Sequence, residues 1–144
     1  MTLETFNLFH GETQDVPAGA PGASGKAARV RSKIGGERLG MSVYDLPAGE
    51  AICPFHFEWT DEEWLIVVKG SVRVRTGEGE STLEPGDVVA FPTGPSGAHQ
   101  VRAAGDGDAR VAIVSTMNEF GIVEYPEDEK VGIWAGGTHY EVNR

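Results

Sequence analysis

The chain has 144 residues, enough for one domain whose single core buries roughly 70% of the surface that the unfolded chain exposes. Hydrophobic residues at 40% and charged residues at 24% rule out a collagenous or wholly disordered chain, and 20 glycines with 8 prolines favour short strands and tight turns over long helices. A formal charge of −10 argues against nucleic acid and against anionic membrane surfaces as partners, since both need clustered positive charge.

The opening stretch MTLETFNLFH has no basic region ahead of an apolar run, so no secretory signal is predicted. Residues 11–28 are dominated by Gly, Ala, Pro and Ser without periodicity and read as an arm or linker over the surface. Five basic side chains follow, Lys26, Arg29, Arg31, Lys33 and Arg38, against the single acid Glu37. The expected reading is a solvated face apposed to acidic residues 58–63 or 124–129, with an anion-facing patch as the alternative. From residue 38 onward, short segments rich in Val, Ile and aromatics recur between turn signals. They include RLGMSVYDL, ICPFHFEW, EWLIVVK, SVRVR, VVAF, AHQVRA and ARVAIVS. Turns about every 8–12 residues predict an antiparallel sandwich or barrel, and no segment from 38 to 116 sustains a helical period. A final strand is expected near Ile122–Tyr125. Acidic Glu127, Asp128 and Glu129 come next, then a tail holding Trp134, His139 and Tyr140. The expected organisation is one all-β domain over 1–144, with an arm at 1–30, the barrel at 31–125 and a short tail at 126–144.

Several signatures fail. Ala20 to Ala27 resembles a phosphate loop only in part, with Ala at the first glycine position and Ala27 where a Ser or Thr would hold magnesium. Gly-x-Ser-x-Gly, Cys-x-x-Cys and a dinucleotide fingerprint are absent. The one cysteine, Cys53, has no intrachain partner and reads as a small core hydrophobe. The longest apolar run, Trp64 to Val68, is too short to cross a bilayer, and no Asn-x-Ser/Thr acceptor occurs. A cytoplasmic, reducing location is the expectation.

His56 and Glu58 are two apart in a strand-like segment, so both side chains leave the same face, about 7 Å apart. Phe55, Phe57 and Trp59 take the other. Thr60-Asp61-Glu62 turns the chain, Glu63 opens the next strand, and His99 follows a Pro/Gly loop at 92–97. His56, Glu58, Glu63 and His99 are therefore the candidate site, with the ligand types that first-row divalent metals use. The alternative is a hydrogen-bonded network of the same four groups without metal. Glu62 faces the other way by alternation and reads as a solvated acid. Trp59 and Trp64 read as core or interface, and His10 and His139 as surface histidines.

Gly49, His56-x-Glu58, Glu63 and Gly70, followed by Gly86, Pro92, Gly94 and His99, resemble the two-motif signature of the cupins. The resemblance covers residues 38–116 and includes the turn Leu83 to Asp87 between the motifs. It implies a jelly-roll (double-stranded β-helix) barrel and places His56, Glu63 and His99 at metal-ligand positions. Glu58 stands where the family has a second histidine. One extra residue separates Gly49 from His56, two extra separate Gly94 from His99, and Ala103 replaces a trailing Asn.

Three readings of Glu58 stay open. It is a fourth ligand; or it is a base beside a His56–Glu63–His99 face; or the metal is lost and the barrel binds or scaffolds. Carboxylate is a competent ligand for Mn, Fe, Ni and Zn, and in place of imidazole it tilts the site towards Mn or Fe and away from Cu. It also attracts an anionic substrate less than three histidines would. The resemblance implies a metal-dependent enzyme on a small oxygenated metabolite, of isomerase, lyase, cyclase or dioxygenase type. The alternative is a cupin that binds a small molecule without turnover. A homodimer is expected, with the arm and the Ile133-Trp134 segment as exchange elements.

Overall fold

Inward and outward side chains alternate along most strands, and this alternation builds two facing layers. The computed structural model describes residues 1–144. In chain order the strands are β1 (Gln14–Asp15), β2 (Lys26–Arg29), β3 (Leu39–Leu46), β4 (Phe57–Glu58), β5 (Glu63–Lys69), β6 (Val72–Thr76) and β7 (Gly79–Leu83). They continue with β8 (Val88–Phe91), β9 (His99–Ala103), β10 (Ala109–Thr116), β11 (Phe120–Tyr125), β12 (Lys130–Ala135) and β13 (Thr138–Asn143). One short helix, α1 (Val30–Lys33), and a 3-10 turn at Pro95–Gly97 complete the chain. The all-β class expected from the turn spacing holds.

The first layer is a six-stranded antiparallel sheet in the order β1-β2-β3-β10-β5-β8. The second combines β7-β6-β9 with β13-β12-β11-β4, and the stretch from Ala51 to His56 joins them through bridges Ala51 to Arg102 and His56 to His99. The main core lies between the layers. Leu65 and Val67 of β5 and Val111 of β10 meet Val72 and Val74 of β6 and Val101 of β9. The opposite face of β5 and β10 carries a second cluster in which Val43, Val68 and Ala112 are covered by Val30, Phe6 and Leu8.

Both ends of the chain are more regular than their composition implies. Within residues 1–30, β1 and β2 pair with each other, and β2 pairs with β3 in the register Ala28 to Val43. Arg110 fastens this segment, donating to the carbonyls of Leu8 and Gly11 and making a two-point ion pair with Asp45. Within 126–144, β12 and β13 form a hairpin. Its two-residue turn, Gly136-Gly137, has φ of 56° and 77°, the positive values that tight hairpins need and glycine supplies.

The basic stripe is a largely exposed face, as expected, but it is not apposed to the acidic segments. None of Lys26, Arg29, Arg31, Lys33 and Arg38 forms an ion pair with residues 58–63 or 124–129. Arg29 instead donates to Ser42 and Tyr44, and Arg31 to the carbonyls of Gly36 and Glu37. Those acids have other cations: Glu127 takes Arg75 and Glu124 takes Arg144. Pairing across the fold depends on which strand edges meet, and charge blocks along the sequence do not encode that.

Candidate functional site

His56 and His99 are brought face to face by the backbone. The two residues exchange both amide hydrogen bonds, at 3.0 and 2.9 Å. Directly opposed residues of an antiparallel pair project to the same side, so both imidazoles enter the space between the layers. Their ring centroids are 4.6 Å apart. Glu63 arrives from the other layer: as the first residue of β5 it shares the inward face with Leu65 and Val67. Its Oε2 lies 3.7 Å from Nε2 of His56 and 3.6 Å from Nε2 of His99.

Each ring is oriented by its other nitrogen. Nδ1 of His99 donates to the carbonyl of Gly97 at 2.8 Å, and Nδ1 of His56 to the carbonyl of Pro54 at 3.0 Å. A carbonyl can only accept, so Nδ1 carries a proton in both rings, and Nε2, facing Glu63, is where each ring would offer a lone pair once neutral. Phe91, opposite Glu63 in the sheet, stacks on His99 at 3.5 Å with only 5° between the planes. Gly97 must be glycine for this loop to close, since a Cβ there would lie 1.8 Å from the carbonyl oxygen of Pro92.

One ligand atom from each of His56, Glu63 and His99 falls within 4.8 Å of the others. Two bonds of about 2.1 Å to a common ion put ligand atoms roughly 3–4 Å apart. Two imidazole nitrogens and one carboxylate oxygen thus fit a first-row divalent cation in both spacing and donor type. Burial, then the charge on His56, pushes the His99 pKa down to about 4. Burial also opposes protonation of His56, but its bonds and charge interactions with Cys53 and Glu63 outweigh this and hold its pKa well above the ordinary value. The trio therefore favours one positive charge in its midst.

Glu58 lines the same cavity but lies outside the compact trio. Burial, followed by the charge of Glu63, raises its pKa to about 8. Glu62 is exposed and accepts from the indole of Trp64 at 2.7 Å. Asp61 ties the intervening loop to the start of the next connection, accepting from Thr116 and Asn118. Trp59 and Trp64 are each about half exposed, at 48%. His139 stacks on Trp134, and His10 is exposed.

The cavity, of about 120 Å³, has walls that the sequence reading did not foresee. Cys53 packs against the main core, as expected, and its Sγ also lies 3.3 Å from Nδ1 of His56. Tyr125 and Val123 enter from β11, and Trp134 from β12. Tyr125 and Val123 were findable from their two-residue spacing in the expected strand, and Trp134 from the glycine pair that marks its hairpin. A larger cleft at Asp15, Lys26, Asp45 and Arg110 holds none of the trio.

A family model for the cupin domain matches residues 42–115, just over half of the chain. No curated protein matches significantly. A solved structure described as a sugar phosphate isomerase from a cupin superfamily, from Silicibacter pomeroyi, has a TM-score of 0.86 at 19% identity, covering 97% of this chain and 92% of the other. The polyketide cyclase RemF from Streptomyces resistomycificus gives a TM-score of 0.65 at 16% identity, covering 81% of each chain. KdgF from Halomonas gives 0.58 at 17% identity, covering 74% of this chain and 88% of the other. At these identities the likeness is one of fold.

Proposed function

The chain belongs to the cupin family, and we propose that it is a metal-dependent enzyme acting on a small oxygenated metabolite, of isomerase, lyase, cyclase or dioxygenase type. One observation carries the reading. Both histidines are locked by backbone carbonyls at Nδ1, so their Nε2 lone pairs converge with Glu63 on one point.

His56, Glu63 and His99 would hold the ion, and Mn, Fe, Ni and Zn all accept this donor set. A divalent ion there supplies Lewis-acid polarisation of a carbonyl or enediol oxygen, or a binding point for dioxygen if it is iron. The chain's own groups do the rest. Glu58, in the same cavity and outside the trio, takes or returns a proton at its carboxyl oxygen. Phe91 and the carbonyl of Gly97 keep the His99 ring from turning. Val101, Ile113 and Val123 keep bulk water from the reacting atoms.

Elemental mass spectrometry on tag-free protein tests this, with His56→Ala/His99→Ala and Glu58→Gln purified in parallel. The expected result is close to one equivalent of metal in the native chain and in Glu58→Gln, and less than about a tenth in the double variant. No metal in the native chain after reconstitution with Mn, Fe, Ni and Zn overturns the proposal and leaves a ligand-binding barrel. Iron would direct the activity screen to oxygen chemistry; manganese or zinc would direct it to isomerase, lyase and cyclase reactions.

A further inference from the structure

None of the chain's 12 lysines and arginines lines the cavity that holds His56, Glu63 and His99. The cations on neighbouring strands are committed elsewhere. Arg75 is paired with Glu127 and Arg144 with Glu124, while Arg29 donates from outside to the hydroxyl of Tyr44. The acidic side chains that reach the cavity are Glu58 and Glu63, and neither supplies positive charge. A divalent ion on two neutral imidazoles and Glu63 retains a single net positive charge, one short of a phosphate dianion's two. No guanidinium or ammonium stands in the wall to supply the difference.

Size and wall chemistry point the same way. The cavity is about 120 Å³. That is close to the roughly 150 Å³ in which an apolar cavity takes one benzene ring, and well under the roughly 300 Å³ where sites for larger ligands begin. Ile52, Val101, Ile113 and Val123 form apolar wall, and Tyr125 and Trp134 add aromatic surface. Trp134 is 50% exposed, stacks on His139 and lines the cavity with aromatic surface.

We propose that this cavity takes a small uncharged molecule with an apolar or aromatic body and one or two oxygens, that phosphorylated sugars are not its substrates, and that Trp134 is a specificity-determining residue. The proposal rests on the metal-enzyme reading for the point that the oxygens address, and on the wall residues alone for the class of molecule.

Calorimetric titration of the metal-loaded protein with two matched pairs tests it: phenol against phenyl phosphate, and ribose against ribose 5-phosphate. Metal content is measured on the same samples, so loss of the metal reading is seen separately from loss of this one. Phenol is expected to bind at least tenfold more tightly than phenyl phosphate and than either sugar. Trp134→Ala, at a half-exposed position, is expected to weaken phenol at least fivefold with metal content unchanged. Equal or tighter binding of either phosphate ester overturns the proposal, as does absence of binding by all four probes. Unchanged phenol affinity in Trp134→Ala removes the role of that residue.

Discussion

Arg110 sits on β10 with its side chain only 10% exposed and four of its five guanidinium N–H donors engaged. Nε and Nη2 reach the two carboxylate oxygens of Asp45 at 2.7 and 2.8 Å, while Nη1 and Nη2 reach the carbonyls of Leu8 and Gly11 at 3.2 and 2.8 Å. Arg110→Met keeps the aliphatic stem and removes all four bonds. Breaking a fully buried pair costs about 3–5 kcal/mol. Asp45, however, is 36% exposed, so water screens the pair and solvates the carboxylate left behind. The expected loss is about 2 kcal/mol, or roughly 4–8 °C in Tm for a domain of this size.

Urea unfolding gives the free energy, and a double-mutant cycle with Asp45→Asn isolates the pair. The hydrogen bond from Arg110, against the opposing effect of burial, holds the Asp45 carboxyl below its ordinary value. A depressed folded pKa contributes stability that is present above the unfolded pKa of about 3.9 and is lost as pH falls through the folded value. The gap between wild type and Arg110→Met is therefore flat from about pH 8 to about pH 5 and narrows below about pH 4. Amide exchange at residues 8–11 should rise in the variant, because the anchored carbonyls come free. A loss under about 0.5 kcal/mol at neutral pH, or a gap that widens on acidification, would refute the reasoning.

Phe91→Leu keeps most of the side-chain volume but removes the ring stacked on His99. Stability should fall by about 1 kcal/mol and metal affinity roughly tenfold, read by competitive chelator titration; unchanged affinity would mean the stack does not orient the ligand. Gly97→Ala forces a Cβ against the Pro92 carbonyl, and neither backbone segment can yield without moving the oxygen that holds His99. Thermal unfolding should show a loss of more than about 2 kcal/mol, and a chain that still folds should bind substoichiometric metal. A fully stable, fully loaded Gly97→Ala protein would contradict the proposed geometry of that loop.

The sequence by itself determined the local facts. Alternation and turn spacing marked the strands between residues 39 and 116 as segments of an all-β fold. The two-residue step placed His56 and Glu58 on one face, and alternation set Glu63 on the face opposite to Glu62. The motif residues pointed to the family that the chain belongs to. Other features were decided only when the layers closed. The exchange of amide bonds between His56 and His99 joins residues 43 positions apart, and the approach of Glu63 is set by the spacing between sheets. Glu58, which replaces a histidine of the motif, lines the same cavity but stands outside the compact trio. The N-terminal segment gained its strands by pairing with β3 in spite of its Gly, Ala, Pro and Ser composition. The C-terminal hairpin carried Trp134 to a cavity built mostly from residues far upstream. Periodicity is a property of a few adjacent residues, whereas register and layer apposition are settled by the packing of the whole core, so the residue types were legible and their distances were not.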